Sequence, residues 1–155
     1  MKEITIRKAE GKDILGIIRV INESVMATHT KLYPPKDIQE TLDNYTEEKV
    51  NRYIKEYDYF VAEYNNEIVG CVLAKESKMR SLYVIPSFMG KGLGKRLVEK
   101  AEECVKANGY DEIFLWSSLV SHDFYIHMGY EDVKGIENME GVILHIEMRK
   151  KLTRT

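Results

Sequence analysis

The spacing of apolar residues changes several times along this chain, and each change marks an element. Ile4 and Ile6 alternate with polar neighbours, as in a half-buried strand. Ile14, Leu15, Ile17, Ile18 and Ile21 then recur at helical spacing, with Asp13 placed to cap the start. Tyr33-Pro34-Pro35 breaks the chain. A second helical stretch runs from Asp37 to about Tyr57, interrupted near Asn44-Tyr45-Thr46, where Thr46 is placed to cap a restart. From Tyr59 the period becomes two: Tyr59 to Tyr64 reads as a strand, Asn65-Asn66 as a tight turn and Ile68 to Ala74 as the hairpin partner. Met79 to Ile85 is a third strand, ended by Pro86. A helix follows with Leu93, Leu97, Ala101 and Cys104 on its apolar face, flanked by Val98 and Val105, and Asn108-Gly109 closes it. Ile113 to Trp116 is a continuous apolar run, which predicts a strand covered on both faces. Ser121 to Met128 is a short helix ended by Gly129. Tyr130 to Val133 and Val142 to Met148 are the last strands, joined by a loop holding Gly135 and Gly141. The order β-α-α-β-β-β-α-β-α-β-β is that of an α+β domain.

At 155 residues the chain is expected to form a single domain over 1–155. Hydrophobic residues at 44% and charged residues at 31% exclude a disordered or fibrous chain. The formal net charge of −2 argues against general nucleic-acid binding. Cys71 and Cys104 stand far apart without CxxC spacing, so neither a disulfide framework nor a metal site is expected; they read as two small buried thiols. No apolar run reaches the ~18–20 residues of a membrane span, and the start of the chain has no signal core. The expectation is a cytoplasmic protein with no membrane partner.

The segment Leu82-Tyr83-Val84-Ile85-Pro86-Ser87-Phe88-Met89-Gly90-Lys91-Gly92-Leu93-Gly94-Lys95 carries the most chemistry. A strand ends at a proline, and a helix opens behind glycines at alternate positions. The first amides of a helix lack internal partners, and the helix dipole makes them electropositive. Glycine removes the Cβ that would keep a ligand from the backbone. Such a loop suits a phosphate or pyrophosphate. Each glycine costs about 1 kcal/mol against alanine where it is helical, which a loop without a ligand would not recover. The P-loop pattern fails, because Gly90 to Gly94 is one residue short and Arg96 stands where a magnesium-binding Ser or Thr belongs. The dinucleotide fingerprint fails too: the spacing is GxGxG, mid-chain, after an antiparallel meander.

This stretch resembles the coenzyme A loop of the GNAT superfamily of N-acetyltransferases. Leu82, Val84, Pro86, Gly92 and Gly94 match the family pattern, as does the downstream Phe124-Tyr125-x-x-x-Gly129-Tyr130, and the element order agrees from end to end. Met89 occupies the place of the family's usual Gln or Arg, and Ser118 that of its Asn. The resemblance implies the acyl-CoA N-acyltransferase fold, a mixed and mainly antiparallel sheet of six to seven strands flanked by about four helices. It implies acetyl-CoA as cosubstrate, no metal, and an amine acceptor on a small molecule or a protein.

Residue by residue, the resemblance assigns main-chain contacts with the pantetheine arm to Leu82, Tyr83 and Val84. It assigns the pyrophosphate to the loop of Met89, Gly90, Lys91, Gly92, Leu93, Gly94 and Lys95. Val84 is the candidate amide for polarising the acetyl carbonyl, while core packing is the plainer reading of Leu82 and Val84. Tyr125 is the candidate general acid for the departing thiolate, against a reading as a buried aromatic. Ser118 is a candidate contact with pantetheine or substrate, or a helix cap. Glu63 is a candidate base, with a solvated strand position as its rival. The four histidines, His29, His122, His127 and His145, show no clustering in the sequence. His29 to Ile38 and the 135–141 loop are expected to select the acceptor; Tyr33 either forms part of its wall or makes a rigid turn. The sequence offers no cysteine nucleophile near the acceptor end, so direct attack in a ternary complex is expected. A non-catalytic coenzyme-A-binding module on the same fold is the alternative, and a protein-interaction domain without such a site a third reading. An exposed edge of the final strands could pair in a homodimer.

Overall fold

A computed structural model describes residues 3–153. Seven strands, β1 (Thr5–Lys8), β2 (Asp58–Tyr64), β3 (Glu67–Lys75), β4 (Lys78–Val84), β5 (Glu112–Ser118), β6 (Glu131–Glu137) and β7 (Ile143–Lys151), form one sheet ordered β1-β2-β3-β4-β5-β7-β6. Every neighbouring pair is antiparallel except β4 and β5. The helices are α1 (Ile14–Thr28), α2 (Pro35–Asp43), α3 (Glu47–Glu56), α4 (Leu93–Ala107) and α5 (His122–His127). The expected second helical stretch is two helices. They part where expected, and the Thr46 hydroxyl accepts from the Lys49 amide at 3.2 Å to start α3.

Two glycines let helices lie close on opposite faces. A Cβ on Gly16 of α1 would stand 2.8 Å from Ile68 of β3. One on Gly70 of β3 would stand 2.9 Å from Leu97 of α4 and 3.3 Å from the Tyr83 carbonyl. Ile17, Val20, Ile21, Val25 and Val50 fill the α1–α3 side of the core, and Leu93, Leu97, Val98, Ala101 and Val105 the α4 side. Asn65 and Asn66 both take positive φ in the β2–β3 turn, as expected.

Four expectations need correction. Asp13 does not cap the amides of α1. Its carboxylate turns back to accept from the Glu10 amide at 2.8 Å and from both terminal nitrogens of Arg7, at 2.8 and 3.0 Å. The β5 run is covered on one face only: Ile113 and Leu115 are buried, but Trp116 is 62% exposed. Its other face lies beyond the reach of α1–α3. Gly135 lies inside β6, which is longer than expected, and its missing Cβ leaves room for Ile143. Cys104 is half-buried at the edge of the α4 face rather than within the core.

Candidate active site

The site begins with a bulge. Cys71 of β3 pairs with Tyr83 of β4 and Leu73 with Arg80, so Val72 alone faces both Ser81 and Leu82. Ser81 takes φ 58°, and its hydroxyl shares a 2.8 Å hydrogen bond with the Tyr45 hydroxyl. Before the bulge β4 pairs with β5, at Lys78 and Phe114; no further β4–β5 pairing follows among the described residues. The two parallel strands therefore separate beyond Ser81.

Ladder geometry settles which main-chain groups face that opening. The Ile85 amide donates to the Val69 carbonyl at 2.9 Å, so Ile85 and, two residues back, Tyr83 belong to hydrogen-bonded pairs with β3. Val84, opposite Gly70, belongs to a non-hydrogen-bonded pair, and its N–H and C=O point away from β3 toward β5. Tyr83 turns its main chain to β3 and packs its ring edge-on against Tyr45 at 5.7 Å. Leu82 is half-buried against the core beside the opening.

The glycine loop follows. Pro86–Phe88 forms a single 3-10 turn, and the Met89 amide donates to the Pro86 carbonyl at 3.2 Å. That amide is thus engaged, which removes it from the expected nest. Gly90 and Gly92 take φ 75° and 84°, with open space where a Cβ would lie. The next amide with a partner is that of Arg96, which donates to the Gly92 carbonyl at 3.3 Å. None of the six amides of residues 90–95 is hydrogen bonded to the described residues. Left-handed glycines and helical residues in succession turn such amides to one concave side. Lys91 and Lys95 are exposed beside them. A Cβ on Gly94 would touch the Phe124 ring at 3.4 Å, so the first turn of α4 lies directly on α5.

On α5, Tyr125 is buried among Phe124 and Tyr130, with ring centroids 5.2 and 5.6 Å away. Its hydroxyl makes no hydrogen bond among the described residues. Burial pushes this phenol above the ordinary tyrosine range. It lies within electrostatic reach of the Tyr83 phenol on β4. Tyr130 is held separately: its hydroxyl donates to Glu102 at 2.8 Å, and Lys150 reaches the same carboxylate oxygen at 3.0 Å.

The remaining candidates are not all brought together. Glu63 faces Arg7, 3.3 Å away, in an open depression with Lys12, Asp13 and Arg19, and β3 and β4 separate it from the opening. The Ser118 hydroxyl is used locally, accepting from the Ser121 amide and reaching the Ser121 hydroxyl, both at 3.3 Å. Tyr33 is buried, and its hydroxyl donates to the Leu144 carbonyl at 2.7 Å and accepts from the Leu119 amide at 2.8 Å. It bolts the α1–α2 link to the ends of β5 and β7, with no hydrogen left for a ligand. His29 and His145, unclustered in the sequence, lie against this ring at 5.2 and 6.5 Å. Cys71 is fully buried, and desolvation pushes its thiol up to about 12, so it is no nucleophile. No group of three or more metal-ligating side chains occurs among the described residues.

A mixed sheet split between its parallel strands, with a glycine-opened helix at the split, is the acyl-CoA N-acyltransferase architecture. The family model of the acetyltransferase (GNAT) domain matches residues 23–152, and the chain belongs to that family. It is 35% identical over 82 residues to an uncharacterised N-acetyltransferase of Chlorobaculum tepidum, a match covering 50% of this chain and 52% of that relative. The match thus spans about half the length of that relative. A spermidine N(1)-acetyltransferase of Thermoplasma acidophilum is 26% identical over 148 residues, covering 85% of this chain and 92% of the relative. The fold matches the crystal structure of the PaiA N-acetyltransferase from Thermoplasma acidophilum in complex with coenzyme A, with a TM-score of 0.79, 24% identity and coverage of 96% and 99% of the two chains. A GCN5-related N-acetyltransferase of Rhodopseudomonas palustris matches with a TM-score of 0.88, 19% identity and 98% coverage of both chains.

Proposed function

We propose that this protein moves an acetyl group from acetyl-CoA to a primary amine of a small molecule, by direct attack in a ternary complex. The observation that carries the proposal is the run of six unpartnered amides at residues 90–95 beside the split strands. Buried or ligand-covered amides need acceptors, and a pyrophosphate at a helix N-terminus supplies charged ones. Gly90, Lys91, Gly92, Leu93, Gly94 and Lys95 hold that group through main chain. The exposed Met89 side chain borders it. Leu82 and Val84 line the pantetheine arm, which lies in the opening as an added strand would. The outward Val84 amide polarises the acetyl carbonyl and stabilises the oxyanion that forms there.

Tyr125 then faces the sulfur. A phenol raised above its ordinary value of ~10 remains protonated at working pH, while a thiol has a pKa of ~8.5. Full proton transfer to the thiolate is therefore uphill for this residue. Its chief contribution is a hydrogen bond donated to the sulfur as the C–S bond breaks. The inert Cys71 agrees with direct attack rather than an acyl-cysteine route. Spermidine, the acceptor named for the Thermoplasma relative, makes small aliphatic amines the first class to assay.

Calorimetric titration with coenzyme A, followed by thiol release over a panel of primary amines, tests this reading. Saturable binding and amine-dependent release are expected. Binding without release for any amine would make the protein a coenzyme-A-binding module instead, and no binding would remove the site.

A further inference from the structure

The α1–α2 link closes over the ends of β5 and β7 and forms a wall that the assigned chemistry leaves unused. Tyr33 is its anchor. His29 stacks on that ring, with planes 22° apart at 5.2 Å, and His145 lies tilted against it at 6.5 Å. Beyond His145, also at 6.5 Å, stands the exposed Trp116. His145 is the direct cross-strand partner of Ser118. The two side chains therefore rise from the same face about 5 Å apart. Ser118 lies four residues past Phe114 and Leu82 four past Lys78, the last β4–β5 pair, so these residues flank the opening at about the same level. His145 is one strand back from the opening, with Tyr33 of the α1–α2 link packed against its ring.

The hydrogen-bond pattern fixes what these rings offer. The Thr28 hydroxyl donates to the Ser24 carbonyl at 2.7 Å, so its 2.8 Å contact with Nδ1 of His29 must be donated by the ring. His29 is committed to Thr28 through that nitrogen. Neither ring nitrogen of His145 is hydrogen bonded among the described residues. It is a half-buried imidazole whose lone pair is unspent, beside an exposed aromatic and across from Ser118 at the rim of the opening.

We propose that His145 is the proton acceptor for the incoming ammonium, and that the wall of Tyr33 and His29 holds its ring in place. This rests on the acetyltransferase reading above. The ammonium gives one N–H proton to the imidazole and keeps the electron pair. That pair forms the C–N bond as the C–S bond breaks. The amide nitrogen loses a second proton, which ends on the departing sulfur with Tyr125 as its hydrogen-bond partner, and the imidazolium releases its own proton to solvent past Trp116.

The surroundings keep the base neutral. Burial holds His145 below the ordinary imidazole range, while the Asp37 carboxylate on α2 pulls the other way. Burial, then the charge of His145, holds His29 below it as well. The other groups around His145 are Ser118 and Trp116 on β5, Ile136 opposite it on β6, and Glu147 on its own strand, 4.0 Å from Lys134. An alkyl ammonium of pKa ~10.4 is neutral only about once in 2,500 at pH 7, whereas an imidazole that burial holds below its ordinary range is neutral there.

The test compares two acceptors, an alkyl amine and a weakly basic amine such as a hydrazide, in wild type, His145→Gln and Asp37→Asn, with coenzyme A affinity measured in each. His145→Gln should lower kcat at least 30-fold for the alkyl amine and less than threefold for the weakly basic one, with unchanged coenzyme A affinity. Asp37→Asn should move the acid limb of the alkyl-amine profile to lower pH. Equal losses for both acceptors, or no loss for either, would overturn the role of His145 while leaving the acetyltransferase reading intact. A wild type that binds coenzyme A but acetylates neither, nor any other amine, would overturn both.

Discussion

Tyr125 illustrates how burial alters a role that a motif suggests. The Phe124-Tyr125-x-x-x-Gly129-Tyr130 pattern made the residue legible in the sequence, but the upward push on its phenol comes from packing against Phe124 and Tyr130. Tyr125→Phe should lower turnover about 10- to 100-fold, or about 1.4–2.7 kcal/mol of transition-state stabilisation, with coenzyme A affinity within about twofold. Steady-state kinetics beside calorimetry checks this, and unchanged turnover would remove Tyr125 from the mechanism. His29 and His145 were illegible for a physical reason: only the closing of the α1–α2 link onto β7 brings them to one ring. The use of Glu63 was hidden in the same way, because nothing local shows that Arg7 of β1 lies across from it. Asp13 is the most buried charged group among the described residues, and Arg7 meets it with two hydrogen bonds. Asp13→Asn should destabilise the fold by about 2–3 kcal/mol at pH 7, measured by urea denaturation.

At the scale of elements, the glycine loop and the helix behind it could be read directly, since amide geometry there follows from glycine spacing. The bulge at Ser81 could not, because serine carries no strong signal for a positive φ and the distortion is held by Tyr45 from another element. The apolar run of β5 misled in a specific way. Continuous apolar character usually means two covered faces, but here Trp116 stands on a face that α1–α3 do not reach. Gly92→Ala places a side chain at φ 84°, a conformation costing roughly 1–2 kcal/mol. Coenzyme A affinity should fall at least about fivefold as the loop relaxes, with little change in melting temperature. Gly70→Val should do the reverse. Its branches meet Leu97 and the Tyr83 carbonyl, so about 1–3 kcal/mol of stability is lost through overpacking, read as a fall of roughly 2–4 °C per kcal/mol in a thermal melt.

For the whole molecule, pH dependence follows from groups already named. Burial holds His29 and His145 below 6.5, so the unfolded chain binds more protons than the folded one as pH falls through the window beneath that value. Stability is therefore complete above about pH 6.5 and declines below it. Burial alone would raise Asp13, but the hydrogen bonds from Arg7 and the Glu10 amide outweigh it and hold the carboxyl below 3.8. Its contribution is present above that value and is lost as pH falls through the folded value. Melting temperature should thus fall in two stages on acidification, and replacing both His29 and His145 with Gln should flatten the first stage alone. No helix among the described residues is long and apolar enough to cross a membrane.

The central claim is that the amides of residues 90–95 hold the diphosphate of coenzyme A. Nitrogen-labelled protein titrated with coenzyme A, and followed by amide chemical shift and hydrogen exchange, tests it most directly. The account requires those six amides to shift downfield together and to become protected, while the Met89 amide, already bonded to Pro86, changes little. Saturable binding that leaves the six amides unshifted and fast-exchanging would contradict it.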